Sequence, residues 1–575
     1  MSSIIVLKDA FKQFTLDQDK ILPPEETVKN FKKKLKKVKL DILDTTARID
    51  GGRLDIPVFM SRCGRDAIKT IGTKKQMGKG GTPEQAEASA VMELVERYSF
   101  FKFRENPENF LVDTFTNLAT RSIPFDMIAK SVHDETEELE IIRPIFHNLP
   151  LRWTRAFNLT RQEEIFIPFD WFYMINEFNG SSAGNCLEEA VLQSVCEVVE
   201  RNVSSLISAN RMEVPLIKPD SATDPMAVEM ITKYRKAGIT FYLSDFSLDM
   251  GIPTVAMMAY DISTFPEKSE IIWTAGTSPH PQKALNRALS EVAQLAGDFN
   301  TGSRYVASGL PKLKTISETR FIANGKQKIP ITQLPDISNL NLKVEIENCV
   351  LALKKKGLDV IVVNITEPVL NVPSIYAIIP GAHFRERAAC SSVGMFSAKL
   401  ISENLTPEAA IRELKKMESV LPEKYYIKFF LGRCFLSLQK PERAYEYFRQ
   451  ALRMDPKDQD IPSIYSYMGI SLKDMNRYSE AIEVLETGTT YDEERTDIYN
   501  LLGFCYFKQK LHEKAIASFK KVLELNPGSA IDYANIASNY RELGDTEKAI
   551  TYYERALSLD PGIHFALENL LKLKQ

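Results

Sequence analysis

From about residue 425 the sequence returns to itself at a nearly fixed interval, and few folds are compatible with that. Gly432, Gly469 and Gly503 are each followed twelve residues later by Ala444, Ala481 and Ala515, and Ala537 takes the glycine place before Ala549. The alanines stand 37, 34 and 34 residues apart. Pro456, Pro527 and Pro561 each lie twelve residues beyond the alanine, and Glu493 holds the proline place in the second unit. A unit of this length with small residues at two fixed places is a pair of closely crossing helices. One such pair cannot bury its apolar face alone, so the pairs must stack. Tyr447, Phe448, Phe519 and Tyr553 supply large partners for the small residues. The spacing predicts four helix pairs over about 425–561 and a last helix, with Phe565, Leu567, Leu570 and Leu571, that caps them.

This pattern resembles the tetratricopeptide repeat (TPR), a solenoid with a concave surface for a peptide, a partner or another copy of itself. Such a stack supplies no chemistry, so the chemistry belongs to the front of the chain. At 575 residues the chain exceeds one core and should hold several domains. Its net charge of −3 excludes a protein that works by bulk positive charge. The lysine run KNFKKKLKKVK at 29–39 carries an apolar seam, Val28, Phe31, Leu35 and Val38, and reads as a solvated helix face rather than a nucleic-acid site. No apolar run is long enough to span a membrane. Seven cysteines without a C-x-x-C pair suit a reduced, cytoplasmic protein. Six histidines, none paired at metal-ligand spacing, exclude H-E-x-x-H chemistry.

Three segments of the front share one design. The segment 78–101 opens GKGG and continues as a helix, with Thr82 as N-cap, Pro83 in the first turn and Gln85 completing a capping box. GKGG lacks the earlier glycine and the following Ser or Thr of a P-loop, so Arg287 is expected to matter far more than Lys79. On this helix Ser89, Glu93, Glu96, Arg97 and Phe100 form one stripe among apolar residues. A second helix at 185–203 places Glu189, Gln193, Glu197 and Glu200 on one stripe, with Val, Leu and Cys elsewhere. A third, 281–296, has Arg287, Glu291 and Gln294. Helices apolar on most of their circumference are buried, so their polar stripes must share a polar cavity. Converging glutamates need cations to offset them, and hard oxygen ligands suit Mg²⁺ with a bound nucleotide. A di-iron carboxylate bundle needs Glu-x-x-His pairs, which are missing.

The motifs S-x-x-x-E-x-x-E-R at 89–97, S-A-G-N-(x)₃-E-A-(x)₂-Q-(x)₃-E-x-x-E-R at 182–201 and R-A-L-x-E-(x)₂-Q at 287–294 resemble the YcaO family over roughly residues 60–400. The strand-like stretches at 249–261 and 378–382 follow the same course. The resemblance implies an α/β YcaO-type ATP-binding domain followed by an α-helical TPR solenoid. The implied divisions are an arm at 1–58 contributing to the nucleotide site, a YcaO domain at 59–405 and a TPR domain at 406–575. It implies ATP and Mg²⁺ as cofactors. Glu93, Glu96, Glu197, Glu200 and Glu291 would hold the metal, with Glu189 beside them. Arg287, Lys20 and Thr27 would meet phosphates, and Ser182, Asn185 and Gln193 would line the nucleotide pocket. Arg97 and Arg201 are read equally as phosphate ligands or as braces for their own helices. Glu93, Glu197, Glu200 and Arg287 are the implied catalytic set.

The implied activity is ATP-dependent activation of a peptide-backbone amide. A nucleophile adds to the amide carbon, ATP phosphorylates the oxygen, and ADP and phosphate are released. YcaO cyclodehydratases commonly end in a proline-rich tail, whereas this chain ends in repeats and LENLLKLKQ, which disfavours azoline formation. A YcaO domain followed by TPRs resembles the branch associated with β-methylthiolation of a ribosomal protein. Protein thioamidation and a non-catalytic, nucleotide-responsive scaffold are the alternatives. The implied partners are a peptide or protein substrate, a sulfur donor or methylthiotransferase, and a second copy in a homodimer.

Overall fold

The computed structural model describes residues 5–73, 75–267, 269–299, 313–384 and 392–575. The chain forms two compact units. One comprises residues 1–139 and 147–393, and the other comprises 140–146 and 394–575. The arm expected at 1–58 is part of the first unit.

Among the described residues the first unit contains three sheets. A three-stranded antiparallel sheet runs in the order Leu43–Arg48, Val58–Cys63, Lys75–Lys79. A five-stranded sheet has the order Ile272–Thr277, Thr254–Tyr260, Thr240–Asp245, Leu216–Ile217, Lys328–Ile329. Its first two strands are buried along their whole length, which is why TVAMMAY and IWTAGT read as small and apolar residues without alternation. The third sheet has the order Leu111–Asp113, Leu151–Asn158, Ile361–Asn364, Ser374–Ile378, Ser181–Ala183, with Glu163–Pro168 pairing Leu151–Asn158. The strand expected within 249–261 is Thr254–Tyr260, and the one expected at 378–382 ends at Ile378.

Five helices position the site. Helix α1 (Pro24–Val38) buries Val28, Phe31 and Leu35 in a cluster with Leu94, Val95 and Tyr98 of α2 (Pro83–Glu105), and leaves most of its lysines exposed. Helix α2 starts as expected: Thr82 Oγ1 accepts the Gln85 N–H at 3.2 Å, and Pro83 occupies the first turn. Helix α3 (Leu187–Asn210) outruns the expected segment by two turns, because Val203 and Ile207 continue its buried face. Helix α4 spans Pro281–Ala296, as the pattern predicts, and α5 spans Leu342–Lys355. The described cysteines are all free thiols; Cys186 is half-buried and the other five are buried.

In the second unit the repeat appears as four helix pairs: Tyr425–Ser437 with Pro441–Leu452, Ile461–Asp474 with Tyr478–Thr489, Thr496–Lys508 with His512–Leu525, and Ala530–Glu542 with Thr546–Leu559. His564–Leu573 caps them; it buries Ala566 and Leu570 and turns Phe565, Leu567 and Leu571 outward. The recurring glycines lie where helices touch. A Cβ on Gly432 would meet the Phe448 ring, and one on Gly503 would lie 2.6 Å from the Phe519 ring. Gly503→Ala is therefore expected to destabilise the stack by about 1–3 kcal/mol through overpacking. That outcome opposes alanine's helix preference of about 1 kcal/mol over glycine. The urea midpoint of the full chain reads this out, and an unchanged or raised midpoint would show that the ring yields freely.

Candidate functional site

Burial along three helices leaves three polar stripes, whose charges act on one another across a shared polar site. On α3 every residue from Glu188 to Val199 is buried except Gln193 and Glu197, and the next turn opens again at Glu200 and Arg201. On α4 every residue from Pro281 to Ser290 is buried except Arg287, and Glu291 is the next to open. On α2, Met92, Glu93, Glu96 and Arg97 are the open positions between Ala90 and Phe100. The sheets hold these stripes together. Helix α4 packs on strands Ile272–Thr277 and Lys75–Lys79, α2 packs on Lys75–Lys79, and α3 packs on Ile272–Thr277 and Ser374–Ile378. Gly78 permits the closest approach, since a Cβ there would lie 1.9 Å from the Ala90 nitrogen. That contact places Lys79, the next residue, among the carboxylates.

Each carboxylate is held by a specific group. Arg97 reaches Glu96 at 3.3 Å and Glu93 at 3.9 Å, and Arg201 reaches Glu197 at 3.6 Å. Lys79 pairs with Glu291. Ser181 Oγ donates to Glu96 at 2.6 Å. The Gly180 N–H donates to Glu197 at 3.2 Å, and the Thr277 N–H to Glu200 at 3.0 Å. Arg287 Nη1 donates to Gln193 at 2.7 Å. Burial pushes the Glu96 carboxyl up to about 8 against the pull of Arg97. Burial also raises Glu93 and Glu200 above the ordinary carboxylate range. The Lys79 ammonium is lowered to about 8, by burial first and then by the nearby charge of Arg287.

The remaining expected residues take distinct places. Lys20, Glu189, Gln193 and Arg287 line a single pocket together with Gln18, Asp19, Thr277, Lys283 and Glu345. Glu189 is fully engaged: it accepts from Ile21 N at 2.7 Å and from Asn185 N and Nδ2 at 2.9 and 3.1 Å. Asn185 therefore acts here through Glu189. Ser182 pairs with Ile375 inside the sheet, and its neighbour Ser181 is the residue that meets Glu96. Thr27 is buried on α1 with its hydroxyl bonded to the Pro23 carbonyl at 3.2 Å, and it is not among the pocket-lining residues. Sequence reasoning assigned Lys79 no part in the cavity, yet it stands at its centre. Its signal was the adjacency of a lysine to the α2 motif.

The donor set fits a magnesium nucleotide. Five glutamates offer hard oxygens, and among the described residues the buried Nε atoms of Arg201 and Arg287 lack a hydrogen-bond partner. Among those residues no three ligand side chains already stand at metal-coordinating spacing. The protein's own Lys79, Arg97 and Arg201 occupy the carboxylates instead.

The raised carboxyl makes stability depend on pH. Folded Glu96 keeps its proton up to about pH 8, whereas the unfolded chain releases it near 4.5. The folded state thus binds the extra proton between these values, and stability falls as pH rises through that window. The depressed Lys79 acts only above it. Scanning calorimetry of nucleotide-free protein should show Tm declining from pH 5 to 8, and Glu96→Gln should flatten the decline. An equal slope in the variant would remove Glu96 as its source.

A family model described as YcaO cyclodehydratase, ATP- and Mg²⁺-binding, matches residues 77–383. Tetratricopeptide models match 428–533, as the TPR domain of cytochrome c-type biogenesis protein H, and 533–563. An uncharacterized protein of Methanothermobacter thermautotrophicus is 29% identical over 62% of this chain and 93% of its own length. The ribosomal protein S12 methylthiotransferase accessory factor YcaO of Escherichia coli is 30% identical over 24% of each chain. The structure of YcaO from Methanopyrus kandleri bound with AMPPCP and Mg²⁺ aligns with a TM-score of 0.50 at 23% identity, covering 65% of this chain and 95% of that one. A heterocyclase in complex with substrate and cofactor aligns with a TM-score of 0.53 at 21% identity, covering 66% and 55%. With the family model spanning more than half of its length, this chain belongs to the YcaO family and carries tetratricopeptide repeats behind its YcaO domain.

Proposed function

We propose that the cavity binds Mg–ATP and directs its terminal phosphoryl group to the oxygen of a peptide-backbone amide in a protein substrate. The observation that carries this reading is that Glu93, Glu96, Glu197, Glu200 and Glu291, from three helices, lie around the cations Lys79, Arg97 and Arg201, with Arg287 and Lys20 at the adjoining pocket. Bound Mg–ATP supplies the phosphoryl group that turns an amide oxygen into a phosphate leaving group. The chain's own contribution is positioning and charge neutralisation. Glu93, Glu96, Glu197, Glu200 and Glu291 would hold the metal. Arg287, already turned toward the pocket by Gln193, would take a phosphate with its free Nε edge. Glu189 fixes the pocket wall by holding the Ile21 and Asn185 amides.

The finer reading is a protein-modification enzyme that works with a sulfur donor or methylthiotransferase. The E. coli relative, named as a methylthiotransferase accessory factor, supports it. The repeats would engage the target protein or a second copy of the chain. Among the described residues no helix is long and apolar enough to cross a membrane, and the proposed location is the cytoplasm.

Phosphate release by the purified protein, measured with and without candidate protein targets, tests the reading. Target-dependent release is expected, and Arg287→Ala should lower it by about 100-fold, the scale of losing one oriented donor to developing charge. Glu197→Gln should weaken Mg²⁺-dependent AMPPCP binding in calorimetry while the Tm stays within a few degrees. Unchanged affinity in Glu197→Gln together with undiminished release in Arg287→Ala would remove the nucleotide from this cavity.

A further inference from the structure

Lys283 lines the pocket, yet its ammonium is committed elsewhere. The residue is 9% exposed and projects its side chain from the first turn of α4. Its three N–H donors meet three oxygens: the Thr15 carbonyl at 2.7 Å, the Leu16 carbonyl at 3.0 Å and Asp224 Oδ2 at 2.8 Å. An ammonium has no fourth donor to offer a ligand. One turn along α4, Asn286 Nδ2 reaches the Asp17 carbonyl at 3.4 Å and Asp224 Oδ1 at 3.2 Å. The Asp17 carboxylate in turn accepts the Gly81 N–H at 2.7 Å. Three successive residues of the N-terminal arm are thus received by α4 and the turn before α2.

Those three residues are the first side and the tip of a tight loop. Phe14 and Lys20 pair across its base, with Phe14 N to Lys20 O at 3.0 Å and Lys20 N to Phe14 O at 2.8 Å. The descending side of the loop is Gln18, Asp19 and Lys20, all of which line the pocket. Glu189 holds the next residue through the Ile21 N–H. Lys12 ties Asp19 to Glu345 of α5, at 2.7 and 2.5 Å. Along the arm, then, the pocket-lining stretch lies between the Lys283 anchor and the Glu189 anchor.

We infer that Lys283 is a positioning residue for the nucleotide pocket: by holding the loop tip on α4 it presents Lys20 to the bound triphosphate. The inference rests on the reading of this pocket as the Mg–ATP site. Lys283 acts through the arm and touches no substrate. Removing its donors should therefore cost affinity only to the extent that Lys20 and its neighbours supply it.

The test uses the full-length chain, with AMPPCP and Mg²⁺ as the probe. Lys283→Met keeps the aliphatic stem and removes the donors. Hydrogen exchange of amides 12–21 in the nucleotide-free protein should accelerate at least tenfold, while the amides of α3 keep their rates. Calorimetry should show about tenfold weaker binding for Lys283→Met and for Lys20→Ala. The double variant should be within twofold of the weaker single variant, because the two changes remove one interaction. Losses that multiply to about a hundredfold, or an arm whose exchange is unchanged, would overturn the inference. Should the methionine variant fail to fold, Lys283→Gln leaves a neutral donor too short to reach both carbonyls and is scored by the same coupling. A wild-type chain that does not bind AMPPCP would sink the nucleotide reading, while the exchange experiment would still decide whether Lys283 holds the arm.

Discussion

Five carboxylates gathered around one cavity repel one another. Two unit charges 4 Å apart near a protein surface interact by about 4 kcal/mol, so the cluster cannot persist without counter-charge. Much of the first unit is arranged to supply it. Arg97 and Arg201 stand four residues beyond Glu93 and Glu197, one helical turn away, so each motif carries its own cation. Lys79 enters from a strand pressed against α2, and Arg287 enters from α4. Backbone N–H groups of Gly180 and Thr277 each donate to one oxygen, of Glu197 and of Glu200.

Burial, and after it the neighbouring charges of Glu197 and Glu93, raises the Glu96 carboxyl, so protonation relieves part of the repulsion. A divalent ion entering this cavity would compete with Lys79 for Glu291, with Arg97 for Glu93 and Glu96, and with Arg201 for Glu197. The same arginines are suited to the phosphates that would arrive with it. The ion pairs described above and the contacts a bound magnesium nucleotide would make are then alternative uses of the same side chains.

The repeats were legible because each unit restates the same packing problem; four glycine or alanine places and four alanines twelve residues on allow one answer. The three site helices were legible because polar residues at helical spacing interrupt otherwise apolar segments, as at Gln193 and Glu197. What sequence could not show was pairing between distant segments. Nothing local to Lys283 says that it receives the carbonyls of Thr15 and Leu16, and nothing local to Ser181 and Ser182 says which one turns toward Glu96. GKGG invites comparison with a P-loop and fails it, although the position of Lys79 beside α2 is what matters. Thr27 matched a spacing, but its hydroxyl is satisfied within α1.

Residues 140–146 belong to the second unit although the sequence on either side of them belongs to the first. The backbone passes between the units three times, after 139, after 146 and after 393. On the ribosome, Ile142 and Phe146 emerge long before the helices with which their unit is completed, and they wait for the last third of the chain. Recombination meets the same condition. A repeat stack exchanged between related genes at a single junction would leave seven residues of the old unit behind. This architecture is inherited whole more readily than it is assembled from parts.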